Sequence, residues 1–159
     1  METTDSKETK KKKMSVSAIK DGTVIDHVPA KNLFKVIQIL GLDKIENQIT
    51  FGTNLNSDKL GKKSIIKISD KLFESDDINR IALVAPDAKL NIIKNYEVIE
   101  KKKVVVPDTI SGIAQCMNPK CITNVEQVTT RFKVISKKSV SLKCHYCEKI
   151  TNQDNLHII

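Results

Sequence analysis

The chain has 159 residues, 40% of them apolar and 29% charged, with a formal net charge of +8. It has no apolar run near the about 18 residues that a membrane-spanning helix needs, so no membrane partner is expected. The charge is thinly spread, +2 over residues 1–13 (five Lys, three acids), +3 over 14–103 (fifteen cations, twelve acids) and +3 over 104–159 (seven cations, four acids). With only six aromatic residues besides, nucleic acid is not expected as a partner.

Met1 to Lys13 is polar, ends in four consecutive lysines and reads as a disordered tail. Beyond it, Val16, Ala18, Val24 and Ile25 suggest short extended segments around the turn Asp21-Gly22. Pro29 sits where a helix can begin. Leu33, Val36, Ile37 and Leu40 follow at helical spacing, and Gly41 is placed to end it. Strands are expected at Ile49 to Leu55 and Ser64 to Ile68, joined by a polar connection. Ser75 is positioned to cap a second helix with Asp76 and Asp77 in its first turn, where the helix dipole favours negative charge. Ile78, Ile81, Ala82 and Ala85 form its buried stripe, and Pro86 stops it. Leu90 to Lys103 reads as one further strand.

This order is β-α-β-β-α-β, the pattern of a ferredoxin-like α+β domain with a mostly antiparallel sheet and both helices on one face. Lys101-Lys102-Lys103 and Pro107-Asp108 mark a change of character. The expected domains are therefore a tail over 1–13, an α+β domain over 14–103 and a small antiparallel β domain over 104–159. Strand-like runs in the last unit include Val125 to Ile135 and Ser139 to Lys143.

The last unit carries all four cysteines, Cys116 and Cys121 (C-x4-C), then Cys144 and Cys147 (C-x2-C). Two close pairs across a longer loop suit four thiolates around one tetrahedral Zn²⁺. Four thiolates close the coordination shell, so the zinc is expected to be structural. A redox or disulfide role is the alternative, disfavoured without a signal peptide. His145, inside the C-x2-C turn, is expected to point away from the metal. A unit of about 55 residues buries little surface, so metal binding is expected to supply its missing stability.

No Walker or GxGxxG motif occurs, and no nucleophile constellation assembles, so no catalytic residue is assigned. Asp26-His27 is an acid–imidazole neighbour, but alternation along a strand should send the two side chains to opposite faces. Lys63, Lys67 and Lys101 are cations that a βαββαβ sheet can bring together around a triphosphate, with Asp26 accepting from a ribose. The alternative that these are ordinary solvated residues stays open at this point.

Several runs carry a specific resemblance. They include Val16-Ser17-Ala18-Ile19-Lys20 and Gly22 to Ala30, with Ile49-Thr50-Phe51-Gly52 and Lys63 to Ile68 after them. Ala85-Pro86, Asn91, Asn95-Tyr96-Glu97-Val98, and Cys116-x4-Cys121 to Cys144-His145-Tyr146-Cys147-Glu148-Lys149 continue it in order. From about residue 14 to 150 the chain resembles the regulatory chains of aspartate carbamoyltransferase. Ser17, where other members can carry an acid, and the long Lys-rich extension depart from the pattern.

The resemblance implies a non-catalytic subunit controlling pyrimidine biosynthesis; a cytoplasmic location is expected from the absence of targeting signals and from thiolate metal ligation. Its N-terminal domain would bind CTP as inhibitor and ATP as activator, with UTP acting beside CTP in some members. Ala18, Ile19, Val24, Asp26, His27, Lys63, Lys67, Asn91, Ile93, Tyr96, Val98 and Lys101 would surround the nucleotide. The same resemblance implies a homodimer formed through that domain. The zinc domain would dock on a separate catalytic chain, with Asn118, Glu148 and Lys149 as candidate contacts. Rival readings are a nucleic-acid-binding zinc ribbon and a small-molecule enzyme with a structural zinc.

Overall fold

The computed structural model describes residues 18–159; the tail at 1–13 and the features at Val16 and Ser17 lie outside the described residues. The chain opens with strand β1 (Gly22–Pro29), a 3-10 turn over Ala30–Asn32 and helix α1 (Leu33–Ile39). Strands β2 (Ile49–Ser57) and β3 (Gly61–Ser69) precede helix α2 (Ser75–Arg80), whose last turn tightens into a 3-10 segment over Ile81–Leu83. Strands β4 (Lys89–Lys94) and β5 (Glu97–Lys103) complete a five-stranded sheet of order β2-β3-β1-β4-β5, antiparallel throughout.

The first four strands and two helices are the expected ferredoxin-like arrangement, and β5 is an added edge. Leu90 to Lys103 is thus a hairpin and not one strand. Asn95 and Tyr96 take positive φ values of 50° and 66°, the left-handed pair that a two-residue hairpin turn requires. The polar connection before β3 is likewise shorter than expected, because both strands extend to a tight turn at Asp58–Leu60. At α2, Glu74 and not Ser75 holds the capping position, and no side chain bonds the free N–H groups there. Gly41 has φ 64° and ends the first helical segment as expected.

One face of the sheet supplies the core. Ile25, Ile66, Ile68 and Leu90 pack with Leu33 and Val36 of α1 and with Ile78, Ile81 and Ala82 of the second helical segment. Asn32 ties the two helical layers together, donating from Nδ2 to the buried Val84 carbonyl at 2.8 Å. Val24, Lys67 and Asn91 lie on the opposite face, outside this cluster.

The remainder is built from β6 (Thr109–Ser111), β7 (Ala114–Gln115), a single helical turn α3 (Ile122–Val125), β8 (Arg131–Ser136), β9 (Ser141–Cys144), β10 (Ile150–Asn152) and β11 (His157–Ile158). They form a four-stranded sheet, β10-β9-β8-β6, and a two-stranded ladder, β11-β7. The strand-like run expected from Val125 begins only at Arg131. Val125 belongs instead to the helical turn, since Asn124 and Val125 donate their N–H groups back to the Cys121 carbonyl.

The apolar core runs on without a break from Ile81 and Val84 through Val104 and Val106 to Ile110, Leu142 and Leu156. Gln153 Nε2 donates to the Leu83 carbonyl at 3.1 Å and Gln38 Nε2 to the Ile158 carbonyl at 3.3 Å, pinning the C-terminal segment to the helices.

Candidate functional site

The four cysteines converge, although 31 positions separate Cys116 from Cys147. Their sulfurs all lie within 4.8 Å of one another, with Cys116–Cys147 at 3.6 Å and Cys121–Cys144 at 3.7 Å. A tetrahedron of thiolates with metal–sulfur bonds of about 2.3 Å has edges of about 3.8 Å, so the cluster fits a four-coordinate metal ion. Cys116, Cys121 and Cys144 are buried, Cys147 partly so.

The backbone is folded to serve the sulfurs. Glu148 has φ 63°, which lets its N–H reach the Cys144 carbonyl at 3.0 Å while the Cys144 N–H donates to the Lys149 carbonyl at 2.9 Å. In the wider C-x4-C loop, Asn124 Nδ2 bridges the carbonyls of Cys116 (2.9 Å) and Asn118 (2.6 Å). Thr123 Oγ1 donates to Cys121 Sγ at 3.3 Å. Neither Thr123 nor Asn124 was expected from sequence, since spacing between cysteines says nothing about what braces the loop.

Burial pushes the Cys116 thiol up to about 12, against the pull of the Asn118 N–H. Cys144 is raised for the same reason. Burial also opposes ionisation of Cys147, but the Lys149 N–H and the Asn118 side chain draw it down to about 7. At Cys121 burial is outweighed by the Thr123 hydroxyl and N–H, which lower it. Four thiols this close cannot all carry charge unaided, and a divalent cation among them removes that conflict. His145 is exposed and stacks edge-on against Tyr146 at 5.1 Å, away from the sulfurs as expected.

The second constellation lies on the open face of the five-stranded sheet. Register places Thr50, Lys67, Val24, Asn91 and Lys101 side by side across β2, β3, β1, β4 and β5. Paired residues in an antiparallel sheet point to the same side, so these five make one row. Ile93 and Val98, also cross-strand partners, stand on the same face. Asp26 lies one step along β1 and accepts a hydrogen bond from Lys63 Nζ at 2.9 Å. Burial lowers the Lys67 pKa while the Asp26 carboxylate raises it, leaving a net depression.

The expectation that Asp26 and His27 point apart does not hold. A bulge between Ile25 and Val28 gives His27 a φ of 61°, so strict alternation fails there. The His27 N–H donates to Asp26 Oδ1 at 2.7 Å and its Nδ1 comes within 3.6 Å of Oδ2. That ring nitrogen is buried and makes no hydrogen bond.

Ala18, Ile19 and Tyr96 line a hollow of about 310 Å³ together with Thr50 and Ser69, at the end of the same face. The Tyr96 N–H donates to the Lys20 carbonyl at 2.9 Å, which holds the hairpin turn over it. Every nucleotide-site residue anticipated from the sequence therefore belongs to one side of the sheet or its bulge. Lys89 and Lys103, not singled out from the sequence, share that face as direct cross-strand partners. The hairpin folds Lys103 back beside Lys89 and Lys101 beside Asn91, a pairing that a single strand over 90–103 does not make.

The three anticipated contact residues differ in setting. Glu148 and Lys149 are exposed beside the knuckle, whereas Asn118 is half-buried and bonds within its own loop, accepting from the Lys120 N–H at 3.1 Å.

Two family models match nearly the whole chain, the "Aspartate carbamoyltransferase regulatory chain, allosteric domain" over residues 14–105 and the corresponding "metal binding domain" over 108–157. The chain is 53% identical to the aspartate carbamoyltransferase regulatory chain of Parabacteroides distasonis over 149 residues, covering 94% of this chain and 97% of that one. It is 54% identical to that of Bacteroides thetaiotaomicron at the same coverage. It is 52% identical to the regulatory chain of Pyrococcus horikoshii over 145 residues, 90% of this chain and 95% of the other.

Proposed function

The chain belongs to the family of aspartate carbamoyltransferase regulatory chains, and on that premise we propose that it senses nucleotides and controls a separate catalytic chain. It has an allosteric part and a metal-binding part and is not itself an enzyme. The proposed effectors are CTP, as inhibitor, and ATP, as activator, competing for the open sheet face, with UTP as a further effector beside CTP. Pyrimidine synthesis would be the pathway controlled, in the cytoplasm. Among the described residues no helix is long and apolar enough to cross a membrane.

The observation that carries the reading is the row Thr50–Lys67–Val24–Asn91–Lys101, with Asp26 and Lys63 beside it. Ammonium groups at Lys67 and Lys101 suit a triphosphate, as mobile point charges that follow several phosphate positions. Asp26 would accept from ribose hydroxyls, with His27 beside it. Ala18, Ile19, Val24, Ile93, Tyr96 and Val98 supply apolar walls and backbone groups for the base, and Asn91 an amide between them.

We place the division near residue 104, with an allosteric domain over 14–103 and a metal domain over 104–159. Zn²⁺ is the proposed ion, held by Cys116, Cys121, Cys144 and Cys147. Bound there it would crosslink two loops without offering an open coordination position, so it supplies stability and no catalysis. Asn118, Glu148 and Lys149 are proposed contacts to the catalytic chain, and the allosteric domains are proposed to pair as a homodimer. An effector shifts such an assembly only by its differential affinity for two quaternary states.

Calorimetric titration of the metal-loaded chain with CTP, at about 0.15 M salt where surface charge is screened as in cells, tests the site. Saturable binding with ATP competing is expected. Lys67→Ala should weaken CTP at least about tenfold, as loss of a charged hydrogen-bonding partner does, and leave assembly with catalytic chains intact. Unchanged CTP affinity in that variant overturns the assignment.

A further inference from the structure

Apart from the cysteines, Lys67 is the one buried ionisable side chain among the described residues, with 9% of its surface exposed. It stands within β3 between its cross-strand neighbours Val24 and Thr50, on the open face of the sheet. The roles above use its charge and not its nitrogen as a nucleophile.

The groups around it favour both the nucleophile and an anion beside it. Asp26 accepts a hydrogen bond from Lys63 Nζ at 2.9 Å, and its carboxylate also acts on Lys67. Lys101 is exposed in the same row, beyond Val24 and Asn91. Three strand spacings, about 14 Å, separate Lys67 from Lys101 at the backbone. Two extended lysine side chains and one small phosphorylated molecule bridge that span. The reacting form of a lysine is its neutral amine. Burial enlarges that share at Lys67 and outweighs the Asp26 carboxylate, which favours the ammonium. A desolvated lysine beside other cations is a recurrent arrangement for amine nucleophiles at neutral pH.

We infer that Lys67 is an acylation site for small acyl phosphates, which Lys63 and Lys101 hold by the phosphate while the acyl carbon faces the Lys67 amine. The nitrogen attacks the carbonyl carbon, an amide C–N bond forms and the acyl C–O bond breaks. Phosphate leaves with the bonding pair and takes the amine proton, so the products are the acylated lysine and inorganic phosphate. No further reactant is needed. The modified side chain carries no charge, so acylation removes one of the cations proposed for the effector's phosphates. That consequence rests on the nucleotide reading; the acylation itself needs only the amine and its neighbouring cations.

The test incubates the full, metal-loaded chain with acetyl phosphate at neutral pH and follows each lysine by peptide mass spectrometry. Lys67 should be acetylated at least about tenfold faster than the exposed Lys44 and Lys138, since holding a reagent beside an amine accelerates its attack. Acetic anhydride, an acyl donor without phosphate, reads the reactivity of the same amine alone. In Lys63→Gln/Lys101→Gln, the Lys67 rate with acetyl phosphate divided by that with acetic anhydride should fall at least about tenfold. This ratio cancels any change in the basicity of the amine when Asp26 loses its partner. Circular dichroism and metal content verify folding of the variant. Inorganic phosphate and CTP should both slow the labelling of the unsubstituted chain.

Labelling of Lys67 no faster than of Lys44 and Lys138 overturns the inference without recourse to a variant, and CTP binding in the same preparation leaves the regulatory reading standing. An unchanged ratio in the double variant overturns the part given to Lys63 and Lys101. Selective labelling that phosphate slows and CTP does not upholds the acylation site and overturns the nucleotide assignment.

Discussion

Single side chains decide whether either site is organised. Asn124 is the clearest case, because one amide holds two carbonyls that flank the first metal-binding loop, at 2.9 and 2.6 Å. Asn124→Ala leaves both carbonyls without that donor, at about 1–3 kcal/mol of stability. Groups that brace ligands commonly change metal affinity by about 10–100-fold. Competition with a chromogenic chelator should show weaker metal retention of that order in Asn124→Ala, while CTP titration of the metal-loaded variant stays normal. Retention equal to the unsubstituted chain would mean the loop is held by its cysteines alone. His27 makes the opposite point. Its identity was visible in the sequence, but the bulge that brings it beside Asp26 was not, since a bulge is a register property of two strands.

At the scale of elements, the β4–β5 hairpin is where local preference and the proposed function conflict. Asn95 accepts a left-handed conformation readily, but Tyr96 at φ 66° pays for it in strain of about 1 kcal/mol. Glycine at the second turn position is the residue such a turn favours. Tyr96→Gly is therefore expected to raise stability in urea by up to about 1 kcal/mol while weakening CTP binding, because the ring lining the hollow is lost. Reduced stability would show that ring packing outweighs backbone strain. A parallel economy governs Gly22, where φ is 139° and an added Cβ would collide with the Ile68 carbonyl. The helix stripe at Ile78, Ile81, Ala82 and Ala85 was legible because a 3.6-residue period needs no partner to be read. The hairpin was not, because two adjoining strands with a polar turn share one apolar composition.

The described residues share one continuous core, and their two parts are expected to be stabilised differently. Residues 104–159 have short strands of two to six residues gathered around the cysteine cluster. Structural metal in small domains contributes about 10–16 kcal/mol of apparent stability, more than so small a core supplies. Chelation is expected to abolish hydrogen-exchange protection in β6 to β10 and leave protection in β1 to β5 largely intact. The seam between the parts should loosen too, at Leu83 and Ile158, where Gln153 and Gln38 reach across it. Uniform loss of protection along the chain would indicate a single cooperative unit.

The sequence by itself determined the α+β order, the helix stripes and the four ligand candidates. Each of these depends on periodicity, residue chemistry or motif order, which are properties of one strand of text. Tertiary structure alone decided which lysines stand in one row, where His27 points, and that an added edge strand extends the sheet. Those facts follow from cross-strand register, and register is set by long-range pairing that no local pattern encodes.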